Sequence, residues 1–368
     1  MVLNTKEFKE ACQTILYAID TKGASLYTET LELVASGQVL NLNVTNRAYF
    51  ATVKFSLQEE CEFRAAVNAK KFLSLISKIT TNTVDLSVNK NSLVVTANGK
   101  YTLPMIYNND QLIKLPRIEM GEITNEMDIQ NSILQSILVN NSKELTRGLP
   151  TKPVQEYYYI DELGAITFTT GACVNSFTLP KEIKLLLSDK VVKLFKLFKG
   201  DSLVKFTMGQ SVIYDDTIQT KVCFKNDKVE LTTKLTDSSL ITGVPVSAIR
   251  GMANKTFPYT MVLEKEAMAQ ALNRVMIFNS DDTDYGNISV KGCNFTISDF
   301  NNGSYETIQS TSEPVNVSEY NMILNLKALK SILDGCEEDY LTMCFGDNKA
   351  VVFKKNSITD LIPEQHIK

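Results

Sequence analysis

Histidine is almost missing from this sequence: its 368 residues hold one, His366, close to the end. Histidine is the commonest general acid or base and the commonest metal ligand, so its absence from the body of the chain removes most hydrolytic triads and transition-metal sites. No G-x-x-x-x-G-K-[ST] phosphate loop and no G-x-G-x-x-G turn occurs. The seven cysteines, Cys12, Cys61, Cys173, Cys223, Cys293, Cys336 and Cys344, are scattered without metal-ligand spacing, as expected of small buried residues in a reducing compartment. No apolar run reaches the ~18 residues of a membrane span. The opening MVLNTKEFKEA lacks the apolar segment of a signal peptide, which predicts a cytoplasmic protein. A net charge of −4 argues against a nonspecific basic DNA coat, although a local basic face remains compatible with it.

What the chain does have is a threefold repeat. AKKFLSLISK at 69–78, DKVVKLFKLFK at 189–199 and LKALKSILDG at 326–335 each predict a lysine-bearing helix. Each is followed by a predicted hairpin, over 83–97, 202–216 and 339–355, with turns at NKN, GQ and GDN. Lys70, Lys190 and Lys327 hold equivalent places, spaced by about 120 to 140 residues, a period of whole domains rather than of a solenoid. The first half of each repeat predicts an amphipathic helix, at 6–19, 127–139 and 265–278, and then strands. The expected fold is α+β: three tandem domains at 1–118, 125–245 and 256–368, each with two helices on antiparallel sheets. Linkers are expected at 112–125 and 243–258, where proline and glycine break the periodicity.

Acidic pairs at Asp215–Asp216, Asp281–Asp282 and Glu337–Glu338 could in principle serve two-metal nuclease chemistry, but they fall in predicted turns or strand ends, where solvated carboxylates are ordinary. The expectation is a protein without enzymatic activity, metal or cofactor. The lysines carry more information. Lys190, Lys193, Lys196 and Lys199 recur in steps of three. Lys70, Lys71 and Lys78 lie on the first repeated helix, and Lys327 and Lys330 on the third. One such helix is most simply a solvated face, whereas three with the same sign in an acidic protein point to phosphates. Lysine is a point charge, so such contacts would be sequence-independent and salt-sensitive.

The stretch FRAAVNAKKFLSLISKI…VDLSV…SLVVTANGKYTLPMI at 63–106 resembles the end of the first domain of the bacterial sliding clamps, the beta subunits of DNA polymerase III. FTTGACV at 168–174 resembles that family's T-D-G-x-R-L turn, SLITGVP at 239–245 its link into the third domain, and DLIPEQ at 360–365 its V-M-P-M-R-L terminus. The resemblance covers nearly the whole chain in the same order. It implies two copies joined head to tail as a closed ring of six domains around duplex DNA, with a clamp loader and a replicative polymerase as partners. The alternative is a repeat-domain interaction protein of the replication machinery that forms no ring.

Matched position by position, the resemblance implies a partner-peptide pocket from Leu149, Thr169, Gly171, Cys173, Val174, Pro245 and Ile249, with Leu361, Ile362, Pro363, Glu364 and Gln365 from the tail. It implies a dimer interface of Tyr101 and Leu103 against Ile277 and Phe278, and DNA contacts at Lys22 and in the loop at 142–147, including Arg147. Removal of 361–368 is expected to leave the ring and abolish polymerase stimulation. Ala172 and Cys173 stand where histidine and arginine are usual in the family, and Glu364 and Gln365 where methionine and arginine are usual. These departures predict a partner peptide unlike the family's common one.

Overall fold

The structure is a computed structural model that describes residues 1–20, 25–146, 150–213, 217–236, 238–279 and 284–365. Lys22, Arg147, Leu149, Asp215, Asp216, Asp281, Asp282 and His366 lie outside the described residues.

One order of elements runs through the chain three times. A strand opens each run, at Val2–Asn4, Glu122–Gln130 and Tyr259–Glu264, and a helix follows, at Thr5–Leu16, Asn131–Ser136 and Lys265–Val275. Four strands, a second helix and three more strands complete the run. The opening strand and the last three form one four-stranded antiparallel arrangement, and the four middle strands form another. These do not all stay separate. Val229–Lys234 pairs edge to edge with Tyr49–Ser56, and Ala172–Ser176 with Ile358–Pro363, so two sheets grow to eight strands.

The chain accordingly divides into two compact units, Met1–Gln135 with Lys190–Thr236 and Ser136–Asp189 with Asp237–Lys368. Each unit joins a terminal repeat to part of the middle one, because continuous sheets hold residues together more tightly than sequence proximity does. In the first unit the ring of Phe8 meets those of Phe55 at 5.5 Å and Phe72 at 6.3 Å, edge to face, while Phe224 meets Phe195 at 5.1 Å and Phe206 at 5.4 Å. In the second, Met268, Leu272 and Val275 of one helix share a core with Leu329 and Ile332 of another, and Phe295 and Phe345 fill it from the sheets.

Three helices begin in the same way. The side chains of Asn4, Asn68 and Asn325 accept hydrogen bonds from the backbone N–H of Glu7, Lys71 and Ala328, at 3.2, 3.0 and 2.8 Å. Each asparagine is extended, ends a strand, and satisfies an N–H that the first helical turn leaves open.

Several elements differ from the sequence reading. The helix expected at 127–139 is a strand, Glu122–Gln130, then a short helix, Asn131–Ser136, and a π turn. Met127 and Ile129 are buried at alternate positions, the period of a strand. The expected GQ turn lies inside the strand Leu203–Val212. A Cβ at Gly209 would sit 2.5 Å from the carbonyl oxygen of Met120, so this glycine admits a neighbouring backbone and turns nothing. The expected linker at 243–258 contains a helix, Val246–Ala253. Finally, the second repeated helix is α-helical only over Asp189–Val192 and continues as a 3-10 helix, Lys193–Leu197. Its lysines recur every three residues with buried apolar pairs between them, a pattern that matches three residues per turn better than 3.6.

The shared caps give a stability test. Asn68→Ala and Asn325→Ala are each expected to cost about 1 kcal/mol, against about 3–5 kcal/mol for Phe72→Ala, as read from denaturant unfolding. A cap substitution without effect would mean that packing alone holds these helices.

Candidate functional site

The lysines of the repeated helices reach solvent. Lys70, Lys71, Lys78, Lys190, Lys193, Lys196, Lys199 and Lys327 are exposed and Lys330 is half-buried. The 3-10 turn sets Lys193 and Lys196 one above the other, because side chains three apart eclipse in that geometry. Acids distant in sequence are brought to these lysines by the fold. Nζ of Lys190 lies 3.7 Å from Asp20, and Nζ of Lys327 lies 2.6 Å from Asp284. Lys70 and Lys71 line an open cavity of about 700 Å³ together with Asp20 and Glu29. The basic face is therefore interleaved with carboxylates.

A second constellation lies in the second unit, on one face of its eight-stranded sheet. Ala172, Val174, Val352 and Leu361 form an apolar cluster with Val154, Tyr159 and Val244. The half-buried side chains of Phe168, Leu240, Ile241, Val246, Ile249 and Met252 pack against it. The helix Val246–Ala253 is pinned there by charge. Arg250 donates to both carboxylate oxygens of Asp161, at 2.7 Å through Nη1, and this hydrogen bonding holds the guanidinium pKa above its ordinary value. Beyond the helix, Lys255 donates to Asp347 at 2.8 Å. Burial pushes the Asp347 carboxyl up, but that bond and the backbone N–H groups of Lys349 and Ala350 pull it below the usual range.

This cluster collects some of the expected pocket residues and leaves others aside. Val174, Leu361 and Ile249 belong to it, and Pro245 is exposed at the start of its helix. Strand alternation turns Cys173 to the opposite face, where it is fully buried beside Asn175, whose amide bonds Ser136 and Asn141. Ile362 is likewise turned away and belongs to the other core of the unit. Gly171 packs against the backbone of Leu361, since a Cβ there would meet its carbonyl oxygen at 2.3 Å. Pro363 is half-buried and Gln365 exposed, whereas Glu364 is buried and accepts from the Tyr320 hydroxyl at 2.9 Å, which helps burial push that phenol up to about 12. Thr169 donates to Glu144 through its hydroxyl at 2.8 Å, and Gln155 donates to the Thr169 carbonyl at 3.0 Å. Glu144 is fully buried. Nothing in its sequence surroundings marked it, because it becomes buried only when distant strands cover it.

The expected interface residues lie near strand edges. Tyr101 and Leu103 are on Lys100–Pro104, the last strand of a four-stranded sheet in the first unit. Tyr101 is partly exposed, and Leu103 on the same face is already nearly covered. Ile277 and Phe278 are 75% and 62% exposed on a 3-10 turn in the second unit, whose four-stranded sheet ends in the edge strand Tyr305–Gln309. Among the described residues no group of histidine, cysteine, aspartate and glutamate side chains could hold a metal, and no helix is long and apolar enough to cross a membrane.

Repeated helix-and-sheet runs joined by strand pairing define a tandem clamp-type architecture. No family model matches the chain. It is 34% identical over 86 residues to the beta sliding clamp of Mycoplasmopsis pulmonis, a match that spans 23% of this chain and only 23% of that relative. Its structure is similar over its whole length to the DNA polymerase III subunit beta of Pseudomonas aeruginosa, with a TM-score of 0.80 at 14% identity and 100% of both chains covered. It is similar also to the DNA polymerase sliding clamp of Bacillus subtilis, with a TM-score of 0.76 at 14% identity, 100% of this chain and 99% of that one. The chain has the sliding-clamp fold, carried by a divergent sequence, as the resemblance implied.

The tail gives the next prediction. Ile358–Pro363 is an interior strand, paired on both sides, and Leu361 and Ile362 fill opposite cores. The expectation that removing 361–368 leaves the ring intact does not fit this placement, because it deletes half of an interior strand. Truncation before Leu361 should lower the melting temperature by ~10 °C or more, because two core side chains at ~2–5 kcal/mol each are lost with a strand. An unchanged melting curve would contradict this placement.

Proposed function

We propose that this chain is a DNA sliding clamp: two copies close head to tail around duplex DNA and tether a replicative polymerase, without catalysing a reaction. The three domains would be 1–118, 125–245 and 256–368, in the cytoplasm, with a clamp loader to open the ring. The pattern of strand edges carries this reading. Both junctions inside the chain join the third middle strand of one repeat to the last strand of the next: Tyr49–Ser56 to Val229–Lys234, and Ala172–Ser176 to Ile358–Pro363. The same rule leaves Tyr305–Gln309 of the third repeat and Lys100–Pro104 of the first without such a partner among the described residues. A second copy supplies each with the other, a heterologous contact that can close into a ring.

Exposed apolar residues support the same contact. Ile277, Phe278 and Tyr305 lie on the third-repeat side, with Tyr101 on the first-repeat side. The lysine faces suit a backbone grip that reads no sequence. The apolar cluster around Val174, Leu361 and Ile249 suits a short apolar peptide from a polymerase or loader, and its value would lie in effective concentration.

Ile277→Asp combined with Phe278→Asp tests the ring directly. Both side chains are largely exposed within the chain, so its own fold should survive, while burying two unpaired carboxylates in an interface is costly. Mass photometry should show the unaltered protein as a dimer and the double variant as a monomer with an unchanged circular-dichroism spectrum. A variant that remains dimeric, or an unaltered protein monomeric at micromolar concentration, would refute the closure.

A further inference from the structure

Ion pairs on the lysine helices have a regularity that stability does not require. Lys70, Lys190 and Lys327 occupy the same place on equivalent helices; Lys190 and Lys327 are ion-paired with Asp20 and Asp284, while Lys70 lines a cavity with Asp20 and Glu29. Asp20 and Asp284 come from equivalent places, the segment between the first helix of a repeat and its first middle strand, but Asp20 pairs with a lysine of the next repeat and Asp284 with one of its own. The pairs are unequal in exposure. The Lys190 side chain is 72% exposed while Asp20 is 18% exposed, and Lys327 is 63% exposed against 40% for Asp284. In each pair the cation is the more exposed partner and the anion the more buried. Exposed pairs of this kind contribute little to folding.

We propose that Asp20 and Asp284 are built-in competitors for DNA phosphate, which weaken the grip of Lys190 and Lys327 so that the protein slides. The proposal rests on the clamp reading and deepens it. A lysine already holding a carboxylate gains little on meeting a phosphate, because it exchanges one anion for another. The carboxylate left behind then repels the phosphate. Lys196 and Lys199 have no ion pair among the described residues, so they would supply the larger share of the attraction. The arrangement resolves a conflict inherent in sliding: enough positive charge to centre the duplex, with too little net attraction to hold it at one place.

The test uses the full chain and a short linear duplex. Asp20→Asn and Asp284→Asn, singly and together, keep the shape and remove the charge. Fluorescence anisotropy from about 50 to 200 mM salt should show the double variant binding ~3- to 10-fold more tightly at the low end. The slope of log K against log salt should steepen by about 0.9 for each phosphate gained. As a second arm, Lys190→Gln and Lys327→Gln should weaken binding less than Lys196→Gln and Lys199→Gln, a ranking that holds even if an aspartate variant folds poorly. If the unaltered protein binds DNA but the slope does not change, or the ranking reverses, this inference alone falls. If the unaltered protein shows no salt-dependent DNA binding, the clamp reading falls with it.

Discussion

Antiparallel backbone pairing at the repeat junctions is the constraint on which the rest depends. A strand edge presents a row of N–H and C=O groups, and leaving them dry and unpaired costs more than any side-chain contact there returns. The chain meets this by pairing Tyr49–Val53 with Val229–Thr233 and Ala172–Asn175 with Ile358–Leu361. Two consequences follow within the chain. The compact units cut across the sequence repeats, and the C-terminal strand becomes interior. A rule applied twice leaves one edge of each kind over, and the proposed second copy would pair them.

Side-chain chemistry is secondary to that frame and adjusted to it. Where the second repeated helix carries a lysine at every third position, the backbone tightens to three residues per turn, so the apolar pairs Leu194–Phe195 and Leu197–Phe198 stay buried while Lys193 and Lys196 stay wet. On the proposed reading, Asp20 beside Lys190 then reduces the net attraction of that face for phosphate. A protein that must hold a polyanion loosely needs both features: point charges that carry no sequence information, and a counter-charge that keeps them from acting as an adhesive.

The helices and hairpins were legible in the sequence where one local signal dominated. The runs 69–78 and 326–335 alternate buried and exposed residues at helical spacing, and the structure has helices at Ala69–Lys78 and Leu326–Asp334. Other features depend on partners distant in sequence. Gly209 is compatible with a turn and with a close backbone approach, and only the passage of Met120 decides between them. The helix Val246–Ala253 is short, contains Gly251, and is held by Asp161 from another strand, so its own residues signal it weakly. Cys173 fell on the wrong side of the expected pocket because a motif match fixes position along the chain, while strand alternation fixes the face. The Asn caps could have been read: Asn68 and Asn325 each directly precede an apolar-periodic run, which is a helix-start signal.

Encirclement is the most direct physical meaning of the two leftover edges, and topology tests it without reference to any partner's identity. The protein is loaded on a nicked circular duplex and washed at high salt, and the circle is then cut once. The account predicts retention on the circle at salt concentrations that strip a lysine-phosphate contact, followed by release from the ends once the DNA is linear. Loss at high salt from circular and linear DNA alike would mean that the protein only adheres, and would contradict the ring.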